Sequence, residues 1–131
     1  TTLGMTNALT RTVSIWARPD QNLNSLVNTR MMFSKYEHFN SGNCNYFGGF
    51  TPNSNNYLAT GNGTDVVNAS PYEIGTWQHF VFVFQAGANN TKVYRNGKLV
   101  QVGTLTYNNV ISTSPFQIGD ATIGGSPSGF S

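Results

Sequence analysis

The sequence predicts an all-β protein, an antiparallel β-sandwich of the jelly-roll type, on three observations. No segment carries an apolar repeat of 3.6 residues, whereas about eight to ten short segments have the pattern of strands. Segment 78–85, QHFVFVFQ, is apolar on both faces, which predicts a central strand that is covered on both sides. Asn96-Gly97 predicts a hairpin between segments 91–95 and 98–103, because a type I′ turn needs positive φ at both positions.

The other strands are predicted from the alternation of apolar and polar residues and from the turn residues that bound each segment. Segment 12–18, TVSIWAR, alternates strictly, so Val13, Ile15 and Ala17 share one face and Trp16 lies on the other. Shorter apolar segments predict further strands at 30–35, 46–50, 56–60, 65–68 and 115–119. Paired glycines in YFGGF predict a bulge or a close backbone approach.

Aromatic residues around the central strand are expected to form the core. These residues are Trp77, Phe80, Phe82 and Phe84. His79, on the opposite face, is predicted to be a packed histidine with one ring nitrogen hydrogen-bonded.

Length, composition and charge narrow the class of protein. A chain of 131 residues predicts a single domain over residues 1–131. Only 9% of residues are charged, and 17 Asn and 15 Thr carry much of the polar load, which suits an all-β protein with long loops. The net charge of +2 is scattered along the chain, so no nucleic-acid partner is predicted. No apolar run approaches the ~20 residues of a membrane span.

Four motifs occur in an order and at a spacing that are typical of one known family. They are TVSIWARPD at 12–20, MMFSK at 31–35, GTWQHFVFVF at 75–84, and VYRNGKLVQVGTL at 93–105 with PFQIG at 115–119. Together they resemble the laminin-G-like form of the concanavalin A-like lectin/glucanase superfamily. The resemblance spans nearly the whole chain and implies a concanavalin A-like jelly roll.

One departure from the family pattern concerns the last strand. Family members usually continue with a further strand after a loop such as GGSPSGFS, at 124–131. We therefore predict that the chain is a fragment of a larger protein. A neighbouring chain or the rest of the parent protein would then complete the sheet, because an open edge invites pairing.

The resemblance implies a non-catalytic module that binds a glycan or glycoprotein on an extracellular, cell or virion surface. The alternative is a structural or assembly domain of a larger surface structure, such as a virion or phage appendage. The low charge and the Asn-, Thr- and Gly-rich loops favour this alternative. Both functions remain open at this point.

No enzymatic activity is predicted. Glycosidases need two carboxylates about 5 Å or about 6.5–9.5 Å apart, and here no two acids lie within five residues of each other. The acids are Asp20, Glu37, Asp65, Glu73 and Asp120. Cys44 has no histidine oriented beside it by a third group, which nucleophilic catalysis would need.

Candidate carbohydrate-binding residues lie in two places. Trp16 offers an aromatic plane if its face of the sheet is open, and segment 36–46, YEHFNSGNCNY, is rich in amides and aromatics. The alternatives are that Trp16 is core and that the segment is an ordinary polar loop. The predicted ligand-binding residues are Trp16, Tyr36, His38, Asn43, Asn45 and Tyr46.

The resemblance also implies calcium, which laminin-G-like domains often hold through loop carboxylates and carbonyls. Calcium takes six to eight oxygen ligands. The available ligands are Asp20, Asn22, Asp65 and Asp120, which form no ordered series of the EF-hand type.

Overall fold

A computed structural model describes residues 10–20, 30–35, 46–50, 57–61, 66–85, 88–105, 116–119, 122–123 and 126–127. The regular elements in these ranges are all β-strands. They are β1 (Arg11–Ala17), β2 (Arg30–Lys35), β3 (Tyr46–Phe50), β4 (Tyr57–Gly61), β5 (Val66–Pro71), β6 (Gln78–Phe84), β7 (Thr91–Arg95), β8 (Lys98–Gly103), β9 (Phe116–Ile118), β10 (Thr122–Ile123) and β11 (Ser126–Pro127). The described residues include no helix long and apolar enough to cross a membrane.

The strands form two larger antiparallel sheets that pack as a sandwich. The first sheet has four strands in the order β1-β6-β7-β8, and the second has five in the order β5-β4-β3-β2-β9. β10 and β11 pair with each other as a small separate hairpin. The prediction of an all-β antiparallel sandwich is confirmed.

The core lies where the inward face of β6 meets β2 and β3. Phe80, Phe82 and Phe84 have no exposed surface, and neither have Phe33 and Phe50 opposite them. The rings of Phe33 and Phe82 meet edge to face with centroids 5.0 Å apart, and those of Phe50 and Phe80 do so at 5.7 Å. Edge-to-face contacts add to the stability from apolar burial, so the predicted phenylalanine core is confirmed.

A bulge in β2 lies opposite the paired glycines of β3. Met31 pairs with Gly49 and Phe33 pairs with Gly48, so Met32 is the extra residue. A Cβ on Gly48 would lie 2.5 Å from Cε1 of Phe33, which only glycine avoids. The glycines therefore mark both a bulge and a close approach, as predicted, although the extra residue is on the partner strand.

The outer face of β6 differs from its prediction. β6 is central in its sheet, between β1 and β7. Its outward residues His79, Val81 and Val83 are only half-buried, however, whereas the inward phenylalanines are fully buried. The reason is that the second sheet packs on the inward face alone. An apolar pattern on both faces thus did not require two covering layers.

The two lateral edges of the sandwich are built differently. At one edge β8 approaches β5 so closely that a Cβ on Gly103 would lie 2.5 Å from Cγ2 of Val67. At the other edge, between β1 and β9, two pockets open, and Ile15 and Ile118 line both of them. Among the described residues, the sandwich is therefore closed along β5–β8 and open along β1–β9.

Candidate functional site

Trp16 lies on the outer face of β1, as alternation predicts, with 62% of its surface exposed. Ala17, beside it, points the other way and is buried in the core. In the β1–β6 register Trp16 lies opposite His79, and the two rings stack with centroids 5.1 Å apart and planes inclined by 27°. The neighbouring strand thus supports the indole while most of the side chain stays accessible.

His79 is held by contacts to β1 and to the turn between β7 and β8. Its Nε2 lies 2.7 Å from Oγ of Ser14. Its backbone N–H donates to Oδ1 of Asn96 at 2.9 Å, and its carbonyl accepts from the Asn96 N–H at 2.8 Å. Asn96 and Gly97 have φ of 49° and 78°, as the predicted type I′ turn requires. The ring nitrogen is hydrogen-bonded as predicted, and the ring also supports Trp16.

Trp77 is a second exposed tryptophan, and the prediction that it belongs to the core is wrong. It is 61% exposed. It directly precedes β6, and its odd position gives it the outward face of His79 and Val81 rather than the inward face of Phe80. Alternation therefore contained the correct answer. Aromatic character alone does not place a residue in the core, because the face of the strand decides which side chains are buried.

The loop before β6 is fixed by buried Gln78. Oε1 of Gln78 accepts from the N–H of Glu73 at 3.1 Å, and its Nε2 donates to the carbonyls of Glu73 at 2.7 Å and Thr76 at 3.3 Å. The N–H of Gly75 donates to the carbonyl of Pro19 at 2.7 Å. These bonds tie the loop to the segment that follows β1, which brings the two exposed tryptophans to the same end of the sheet.

Trp16 and Trp77 line one pocket of about 240 Å³. The other lining residues are Ile15, Ala17, Arg18, Met32, Ile118 and Gly119. Ala17 and Met32 are buried, whereas Arg18 is exposed. The first sheet supplies one wall and the second sheet the other, so the pocket lies at the open edge of the sandwich.

Within the part of the chain that the structure describes, the charged groups at this pocket are Arg18 and its partner Asp20. Nε of Arg18 lies 2.9 Å from Oδ1 of Asp20, and both side chains are largely exposed. An exposed pair of this kind contributes about 0–1 kcal/mol to stability. At this site, the carboxylate of Asp20 offsets the positive charge of the Arg18 guanidinium.

The structure bears on only one of the predicted calcium ligands. Asp20 directs a carboxylate oxygen to Arg18, and Asn22, Asp65 and Asp120 lie outside the described residues. No group of three or more His, Cys, Asp or Glu side chains gathers within the described ranges. The carboxylate of Asp20 is therefore paired with Arg18, which would compete with calcium for it. Calcium binding stays a prediction.

The predicted recognition loop lies mostly outside the described residues. This applies to Tyr36, His38, Asn43 and Asn45. Tyr46 begins β3, where its backbone pairs with Lys35. The structure therefore brings Trp16 together with Trp77 and Arg18, two residues that were not predicted as ligand-binding, while the role of the loop stays a prediction.

A sandwich of two antiparallel sheets with an aromatic-lined pocket at its open edge defines a lectin-like β-sandwich domain. A laminin-G family model, described as the concanavalin A-like lectin/glucanases superfamily, matches residues 2–131. The chain belongs to this family, so the predicted resemblance is confirmed. Comparisons with curated proteins and with solved structures give no significant match. The superfamily includes both lectins and glucanases, so membership leaves the choice between binding and catalysis to the site.

Replacing Gln78 by alanine tests how the loop is held. We expect Gln78→Ala to lower the free energy of unfolding by about 1–2 kcal/mol, because Glu73 and Thr76 lose bonds to a buried side chain. The emission of the adjacent Trp77 should change as the loop loosens. Chemical denaturation and tryptophan fluorescence measure the two effects.

The matched control for this change is Gln101→Ala. Gln101 is half-buried in β8, away from the loop, and its replacement should alter stability by about 0.5 kcal/mol or less. Equal losses for the two variants would show that the bonds of Gln78 do not stabilise the loop.

Proposed function

We propose that the chain is a non-catalytic carbohydrate- or glycoprotein-binding module of an extracellular, cell-surface or virion-surface protein. The observation that carries the proposal is the pair of exposed tryptophans lining one pocket. Exposed apolar groups are common one by one, but large aromatic side chains gathered around a pocket indicate a binding site.

The physical basis is the match between an indole and a pyranose ring. A sugar has an apolar face of C–H groups and a rim of hydroxyls, and an exposed indole offers an apolar plane with one N–H donor. Trp16 is stacked on His79, and the backbone before Trp77 is held by Gln78. Side chains held before binding lose little conformational entropy when the ligand arrives, which favours affinity.

The placement of the carboxylates favours binding over hydrolysis. In the ranges that the structure describes, the acids are Asp20 and Glu73. Asp20 pairs with Arg18, and Glu73 lies in the loop held by Gln78. Neither is among the residues that line the tryptophan pocket, where a glycosidase would need two carboxylates flanking the scissile bond.

A glycan microarray followed by isothermal titration tests the proposal. Wild-type protein should bind at least one class of glycan, and Trp16→Ala should weaken that binding about tenfold or more while far-ultraviolet circular dichroism stays unchanged. Leu99→Ala is the matched control, because Leu99 is a 52% exposed apolar residue in β8 that does not line the pocket. Folded wild-type protein that binds no glycan would overturn the proposal.

Repeating the titration with added calcium and with a chelator tests the calcium prediction. If calcium takes part in binding, the chelator should abolish binding and calcium should restore it. Identical binding isotherms in both conditions would show that glycan binding does not require calcium.

A structural or assembly role is the second candidate, and the open edge of the sandwich favours it. Within the described residues β1 pairs with β6 on one side only. Beside it lies a pocket of about 460 Å³ whose lining includes Val13, Phe33 and Phe116. An extended strand from a neighbouring chain or from the parent protein would pair with β1 and place alternate apolar residues over this pocket.

Hydrogen exchange tests the assembly role. The amides of β1 that point away from β6 should exchange rapidly in the isolated chain and become protected in the parent assembly. Unchanged exchange of these amides on assembly would contradict the role.

A further inference from the structure

We propose that the tryptophan pocket recognises an acetamido group, so that the module selects N-acetylhexosamines over hexoses without that substituent. The inference rests on the proposed carbohydrate binding and specifies its ligand class. It is carried by three properties of the pocket: its volume, its apolar lining and the kind of polar groups on its wall.

The volume of the pocket suits one substituted sugar unit rather than a whole oligosaccharide. It measures about 240 Å³, whereas pockets that enclose drug-sized ligands usually measure about 300–1,000 Å³. One sugar ring can therefore lie against the exposed indoles while a group attached to it enters the pocket.

The apolar lining selects which group enters. Ile15, Ala17, Met32 and Ile118 contribute apolar side chains. A hydroxyl that faces these four side chains loses water there and gains no partner from them, which is unfavourable. A methyl group in the same place gains from burial. The lining therefore favours a sugar whose substituent ends in a methyl group.

Among the described residues of the wall, the polar side-chain groups are hydrogen-bond donors. The indole N–H groups of Trp16 and Trp77 only donate, and the guanidinium of Arg18 donates and cannot accept. The N–H of Gly119 is already bonded to the carbonyl of Met32 at 2.8 Å. A ligand with an acceptor close to its methyl group suits these donors, and the carbonyl of an acetamido group is such an acceptor.

The charge at the pocket favours a neutral ligand over an acidic one. Arg18 alone would attract a carboxylated sugar, but Asp20 lies 2.9 Å from its Nε and compensates its charge. The acetamido group is neutral and accepts a hydrogen bond without needing an unpaired cation. An acetylated lysine carries the same group, yet it has no ring to lie on Trp16 and Trp77, so the observations favour the sugar.

Matched ligand pairs test the inference. Isothermal titration of wild-type protein should compare N,N′-diacetylchitobiose with cellobiose, and methyl N-acetylgalactosaminide with methyl galactoside. In at least one pair the acetylated sugar should bind about tenfold more tightly or better, since about 1.4 kcal/mol corresponds to tenfold. An acetyl-lysine peptide is the third arm.

Ile118→Ser makes the pocket wall polar without disturbing the core, because Ile118 is 73% exposed. It should bring the affinity ratio of the acetylated and plain sugars toward one, because the acetylated sugar loses its apolar contact with the wall. Ile74→Ser, at an exposed apolar residue outside the pocket, should leave the ratio as in wild type.

The outcomes separate this inference from the proposed function. Equal binding of both members of each pair would overturn acetamido recognition and leave carbohydrate binding in place. Binding of no sugar in either pair would overturn acetamido recognition, and the absence of any glycan bound on the microarray would overturn the proposed function as well. Tighter binding of the acetyl-lysine peptide than of either acetylated sugar would overturn the sugar assignment.

Discussion

Replacing Phe82 by alanine is expected to lower the free energy of unfolding by about 3–5 kcal/mol. Phe82 has no exposed surface, and its ring meets that of Phe33 edge to face at 5.0 Å. The sheets already touch beside this ring, since a Cβ on Gly48 would lie 2.9 Å from its Cζ. The surrounding backbone therefore cannot close much of the resulting cavity. A domain is stable by only about 5–15 kcal/mol, so this loss is a large share.

Val83→Ala is the control for the same strand. Val83 follows Phe82 directly, points to the outer face opposite Thr12 and Lys92, and is only half-buried. Its truncation should lower the free energy of unfolding by about 1 kcal/mol or less. Urea denaturation with an unchanged denaturant slope measures both values. Comparable losses for the two variants would contradict the assignment of the even-numbered residues to the core.

Short-range patterns explain why much of the scaffold could be predicted. The period of two assigned the faces of β1 correctly, because its strict alternation leaves one register that buries the apolar set. In β6 the same period places the three phenylalanines together on one face. The β7–β8 hairpin could be predicted from its turn residues. Asn96 and Gly97 both adopt positive φ, a conformation that most other residue types disfavour. The predicted bounds 30–35, 46–50, 91–95 and 98–103 match β2, β3, β7 and β8.

The predictions fail where a segment is too short to show a pattern, or where the outcome depends on packing between the sheets. β10 and β11 have two residues each, too few for alternation to be recognised, and neither was predicted. The outer face of β6 is apolar, yet a pattern cannot tell whether a second layer packs on it. Only the arrangement of the sheets shows that the second sheet lies on the phenylalanine side.

The candidate site was predicted only in part, because most of its residues are brought together by sheet packing. Trp16 followed from alternation within one strand. Its pocket, in contrast, joins Arg18 from the end of β1 to Met32 and Ile118 from the other sheet. These residues meet because β2 has a bulge at Met32 and β9 pairs with β2 at the open edge. Such contacts depend on sheet packing, which no short segment encodes.

Truncating both tryptophans should reduce the free energy of glycan binding by less than the sum of the two single losses. Trp16→Ala and Trp77→Ala should each reduce affinity about tenfold or more. Each removes an aromatic contact and apolar burial that together are worth about 1.4 kcal/mol or more. Because both side chains line one pocket, a sugar released from one indole also loses its placement on the other. We therefore expect a coupling of about 0.5–3 kcal/mol between the two sites.

Isothermal titration of wild type, both single variants and the double variant measures this coupling directly. Both side chains are more than half exposed, so the variants should keep the unfolding free energy of wild type to within about 0.5 kcal/mol. A loss of affinity can then be assigned to the site rather than to unfolding. Additive losses would mean that the tryptophans contact separate parts of the glycan, and the shared pocket would no longer explain recognition. A strong coupling would show that the open edge of the sandwich acts as one binding site.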